Sequence, residues 1–150
     1  MSQTLSAVYV HVIFSTKDRI QMIDRSIRFR LWQYIGGVCN NLECLPIQIG
    51  GTGDHIHILC RLSRTISLQS FVTKVKSESS KWIKTVSADY HDFYWQSGYG
   101  VFSVNPQETD KVVEYIRNQE THHCERCFKD ELRLFLKKYS IDYDEKHLWD

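Results

Sequence analysis

Apolar residues recur along this chain in two rhythms. Residues 5–16, LSAVYVHVIFST, are dense in β-branched and aromatic types and predict a strand. Residues 24–42 change to a helical period: Ile27, Leu31, Ile35 and Val38 share a face behind Asp24 as N-cap. Residues 45–50 and 55–62 are extended again. The turn signal GGTGD separates them, so residues 45–62 predict a hairpin. TISLQSFVTKVKSESSKWIKTVSADY then carries Leu68, Phe71, Val75, Trp82 and Val86 as the apolar stripe of a second long helix. GYGVFSVN, residues 98–105, predicts a fourth strand. NPQE opens a helix running to about Gln119, with Asn105 as N-cap, Pro106 at the first helical position and Glu108 at the capping-box position. CERCFKDELRLFLKKYS predicts a last amphipathic helix before a polar tail.

The resulting order is β-α-β-β-α-β followed by two helices. It predicts an α+β fold, a ferredoxin-like sandwich with an antiparallel sheet, helices on one face and a C-terminal helical extension. With no internal repeat, low-complexity tract or linker, residues 1–150 read as a single domain. Hydrophobic residues make up 42% and charged residues 25%, which suits a soluble globular chain. No apolar run approaches the roughly 20 residues of a membrane span, so no membrane partner is expected. The N-terminus has no basic leader ahead of its apolar part, which predicts a cytoplasmic protein. Five unevenly spaced cysteines do not form a disulfide pattern and agree with a reducing compartment. A net charge of +1 lends nucleic-acid binding no overall support, so any such case rests on local placement.

GDHIHIL holds the first candidate chemistry. In a strand, residues two apart share a face, so His55 and His57 project together while Ile56, Ile58 and Cys60 point into a core. Two readings stand. One is a two-point metal site. The other is a surface histidine beside a hydrogen-bonded strand histidine. In VVEYIRNQ, Tyr115 and Gln119 lie four apart on one helical face, and Val112, Val113 and Ile116 suit burial against a sheet. Taken alone, Tyr115 is a packing tyrosine and Gln119 a solvated amide. Beside the histidines, Gln119 offers a carbonyl oxygen to a metal and Tyr115 a hydroxyl to a group held there. A tyrosine hydroxyl, with a pKa of about 10, is a weak nucleophile. A divalent cation that polarises a phosphate offsets this weakness.

YVHVIFSTKDR, GDHIHIL, WQSGYGVFSV, VVEYIRNQETHH and the tail YSIDYDEKHLWD occur in this order over almost the whole chain. Together they resemble the single-tyrosine HUH transposases of the IS200-like insertion-sequence group, where HUH denotes His-hydrophobic-His. The resemblance implies a ferredoxin-like fold, a homodimer and metal-dependent cleavage and rejoining of single-stranded DNA at hairpin element ends through a 5′-phosphotyrosine. It implies Tyr115 as nucleophile and His55, His57 and Gln119 as ligands of Mg²⁺ or Mn²⁺. No nucleotide cofactor is expected, since no GxxxxGK loop is present.

Other residues keep two readings each. Asp54 is either a carboxylate orienting an imidazole or a turn residue. Lys74, Lys81 and Lys84 lie near one face of the second long helix, as phosphate contacts or as a solvated face. Thr16, Lys17 and Arg19 either touch backbone phosphate or merely end the first strand. Tyr94, Trp95 and Tyr99 are either base-stacking platforms or core. His122, His123, Cys124 and Cys127 are either ligands of a structural zinc or, since no second ligand pair follows at zinc-finger spacing, packing and surface cysteine. Rival functions are a host HUH-type nickase, a catalytically inert DNA-binding repressor and a metal-dependent phosphoesterase that uses water.

Overall fold

The computed structural model describes residues 2–122 and 127–150, with His122 described in its backbone only. Four strands, β1 (Tyr9–Ser15), β2 (Leu45–Gly51), β3 (His55–Arg61) and β4 (Gly100–Val104), form one sheet in the order β2-β3-β1-β4. Every neighbouring pair is antiparallel. This is the α+β architecture expected of the β-α-β-β-α-β order, with the hairpin at one edge and β1 next to the middle.

Helices α1 (Arg25–Asn41) and α2 (Leu68–Val86) cover one face of the sheet. Asp24 caps α1 by accepting from the Ile27 amide at 3.1 Å, and Ser67 caps α2 by accepting from the Ser70 amide. Period-two alternation decides what they meet. Val10, Val12 and Phe14 of β1 and Ile56, Ile58 and Cys60 of β3 point into this layer. There they pack with Ile27, Leu31, Ile35, Phe71, Val75 and Ile83. The stripe read from the sequence therefore faces the core, except that Leu68, in the first turn of α2, stays exposed. Trp95 also joins this side, donating from its indole to the Ser79 hydroxyl at 2.9 Å, whereas Tyr94 and Tyr99 remain exposed.

Helices α3 (Thr109–Arg117), α4 (Gln119–His122) and α5 (Phe128–Lys138) follow β4, and α6 (Glu145–Leu148) ends the chain. The opposite face of the sheet is covered by α3 and α5. Leu59, Val104 and Ile116 form one cluster there, and Ile13, Phe102, Phe128 and Leu136 a second. Asn105 accepts from the Gln107 amide at 2.9 Å, but the first turn it caps is 3₁₀. Glu108 pairs with Lys111 rather than closing a capping box. The helix expected to reach Gln119 stops at Arg117, and Gln119 opens the short α4 beyond Asn118. Arg28 of α1 anchors that turn, donating to Glu120 at 2.5 Å. Among the described residues no helix is long and apolar enough to cross a membrane.

Candidate metal and nucleophile site

The face of β3 turned away from α1 and α2 presents His55 and His57, both fully buried. Asp54 Oδ1 lies 2.7 Å from His55 Nδ1, and the Thr52 hydroxyl lies 3.0 Å from the same nitrogen while donating to Asp54. The turn that starts β3 thus fixes the ring of its first histidine. His57 Nδ1 forms a 2.7 Å hydrogen bond with Nε2 of His11 on β1. Burial, followed by the neighbouring His57, holds the His11 imidazole well below its ordinary pKa, so it stays neutral at neutral pH.

The two Nε2 atoms converge on side chains brought by α4 and α5. His55 Nε2 lies 2.9 Å from Gln119 Oε1 and 3.8 Å from Glu131 Oε1, and His57 Nε2 lies 2.8 Å from Glu131 Oε1. Gln119 donates from Nε2 to Glu131 Oε2 at 3.3 Å. Tyr115 completes the group by donating its hydroxyl to Glu131 Oε2. Its ring stands edge-on to His57, with centroids 5.7 Å apart. Beside Tyr115 a cleft of about 630 Å³ opens between α3 and α5, with Lys111, Lys138, Phe135 and Val104 among its walls.

The spacing of the donor set suits a metal ion. Ligands about 2.0–2.2 Å from one ion sit roughly 3–3.5 Å from each other. The nitrogens of His55 and His57 and a Glu131 oxygen all lie within 4.8 Å of one another. Small side-chain adjustments bring such a set onto an ion, and two imidazoles plus oxygen donors suit a divalent cation. The buried cysteines are poor competitors: burial pushes the Cys39 thiol up to about 12, leaving it protonated.

Two members of this site escaped the sequence reading. Glu131 shares an apolar helical stripe with Phe128 and Phe135, an unusual place for a carboxylate, and it is 2% exposed. That mismatch was the available signal. His11 interrupts an otherwise apolar strand, a weaker one. The other candidates are scattered. Lys17 and Arg19 leave β1 beside Asp54, since the Thr16 amide donates to the Asp54 carbonyl at 2.8 Å. Lys17 is exposed, while the Arg19 guanidinium lies over Trp149. Lys74, Lys81 and Lys84 ride on α2, across the sheet from the histidines, with Lys84 over the Tyr94 ring. His123 and Cys124, and the His122 side chain, lie outside the described residues; Cys127 is exposed.

Known proteins resemble this chain in sequence and in fold. The insertion-sequence IS200 transposases of Salmonella typhimurium and Salmonella typhi are each 26% identical over 114 residues, spanning 73% of this chain and 74% of theirs. Among solved structures, a candidate transposase from Deinococcus radiodurans R1 superposes with a TM-score of 0.62 at 18% identity, over 79% of this chain and 98% of that one. A REP-associated tyrosine transposase bound to a REP hairpin superposes with a TM-score of 0.57 at 14% identity, over 82% of this chain and 74% of that one. These two likenesses speak to the fold. The family described as IS200-like transposases matches residues 4–119, which contain the histidine pair, Tyr115 and Gln119, and the chain belongs to that family.

Proposed function

We propose that this transposase cleaves and rejoins single-stranded DNA through a covalent bond to Tyr115. The observation that carries the reading is the meeting of the Tyr115 hydroxyl and both imidazole Nε2 atoms around Glu131. A phosphodiester seated there is within reach of the phenol and of the residues suited to hold a cation. His55 and His57 hold Mg²⁺ or Mn²⁺ with Gln119, and Glu131 adds a carboxylate. Bound there, the cation polarises the phosphate and stabilises the charge that develops on it.

In cleavage, the Tyr115 oxygen forms a bond to phosphorus as its proton leaves. The bond from phosphorus to the 3′ oxygen breaks, and that oxygen takes up a proton. The 5′-phosphotyrosine conserves the energy of the ester, so a later 3′-hydroxyl rejoins DNA and releases Tyr115 without a nucleotide cofactor. The cleft beside Tyr115 gives a single strand a way in, past Lys111 and Lys138. A hairpin at the element end is the substrate, in line with the neighbour solved on a REP hairpin. Two copies of the chain act together as a homodimer on the two ends.

Incubation with single-stranded end DNA and Mn²⁺, followed by denaturing electrophoresis and mass mapping, tests the chemistry. Tyr115→Phe is expected to abolish the covalent product and to leave DNA binding intact. Product persisting in that variant would assign the nucleophile elsewhere.

A further inference from the structure

We propose that His11 is a positioning residue that holds His57 in the tautomer a cation requires. The inference rests on the metal reading above. An imidazole nitrogen offered to a cation carries no proton, so the ring's single proton sits on its other nitrogen and needs an acceptor. In His57 the nitrogen facing Glu131 and the other ligands is Nε2. Its proton then belongs on Nδ1, and the atom 2.7 Å away is His11 Nε2, which accepts it.

The placement is built into the sheet. β1 and β3 pair with Ile13 opposite His57 and Leu59 opposite His11, so the two rings meet diagonally across neighbouring strands. Their centroids are 5.0 Å apart. His11 is 2% exposed and packs edge-on against Phe135 of α5, so its ring has little freedom to turn away. His55 has the same requirement met by different chemistry, a carboxylate and a hydroxyl from its own turn. A carboxylate in place of His11 would add a further negative charge close to Glu131. A neutral imidazole accepts the proton without that charge.

Mn²⁺ titration into the full-length protein, with free ion read by electron paramagnetic resonance, tests this for wild type, His11→Gln, His11→Asn and His11→Leu. Glutamine extends an amide oxygen about as far as the histidine Nε2. Asparagine falls short, and leucine has no acceptor. We expect affinity about 10–100-fold weaker for Leu and Asn and close to wild type for Gln, with cooperative unfolding retained. If Leu does not fold, Gln against Asn decides. Wild-type affinity in the folded Leu and Asn variants would overturn the proposal, as would Gln as weak as Asn. Wild-type protein that binds no Mn²⁺ would remove the metal reading and this inference together, and the wild-type curve alone reveals that case.

Discussion

Glu131 brings a buried carboxylate against two imidazoles, an amide and a phenol. An isolated carboxylate at that depth would cost several kcal/mol, and these partners offset the cost. A cation held by the same groups should stabilise the folded chain by mass action, by about 2.7 kcal/mol at a hundredfold excess over its dissociation constant. Mn²⁺ is therefore expected to raise the thermal midpoint and EDTA to reverse the rise. Glu131→Gln keeps the shape and removes the negative charge. A tenfold loss of affinity takes about 1.4 kcal/mol from that stabilisation, and differential scanning calorimetry with and without Mn²⁺ measures it. An unchanged Mn²⁺ shift in the variant would mean that Glu131 is not a ligand.

The elements carry these residues only as well as they pack. Gly50 of β2 lies opposite His57 and directly beneath α3. A Cβ there would stand 2.9 Å from Ile116 Cγ2 and 3.0 Å from the Ile116 carbonyl oxygen. The second contact is backbone, so α3 itself must move, and Tyr115 moves with it. Gly50→Ala is expected to cost about 1–3 kcal/mol and to lower the yield of covalent product well beyond any loss of DNA binding; gel assays of both quantities check this. On the other face, Lys76 of α2 donates to the carbonyls of Gln96 and Gly98 at 2.7 and 2.6 Å, tying down the segment before β4. Burial lowers its pKa from 10.5 to about 8. Below about pH 8 both folded and unfolded chains hold this proton, and the cost of burying it is constant. Between about 8 and 10.5 the unfolded chain binds more of it, so this group makes stability rise with pH across that window. Lys76→Met should remove that rise, which urea titrations at two pH values within the window and one below it would reveal.

At the scale of the molecule, the sheet divides the side of the larger apolar core from the side of the candidate site. α1 and α2 close the larger apolar core, while α3, α4 and α5 bring Tyr115, Gln119 and Glu131 over the histidines. Lysines on opposite sides of this divide should therefore differ in their effect on DNA. Lys17 lies at the end of the sheet that holds Asp54 and His55, whereas Lys74 and Lys81 lie behind it on α2. Lys17→Ala is expected to weaken hairpin binding and to lower the slope of log affinity against log salt by about 1. Lys74→Ala and Lys81→Ala should leave that slope unchanged; fluorescence anisotropy over a salt series distinguishes the two groups.

Much of this site was readable from local pattern. A strand's period of two puts His55 and His57 on one face whatever surrounds it, and their apolar alternates identify the opposite face as core. Asp24 and Asn105 mark helix or turn starts because capping involves only neighbours in the chain. Tyr115 and Gln119 were found by spacing and by resemblance, though the break at Asn118 means that a chain turn, not one continuous helix, presents Gln119. Only the tertiary structure brings Glu131 across 74 residues to His57, and His11 across 46. Those encounters depend on strand register and on how α5 packs over the sheet. Both arise from contacts among residues distant in sequence, which no local periodicity records.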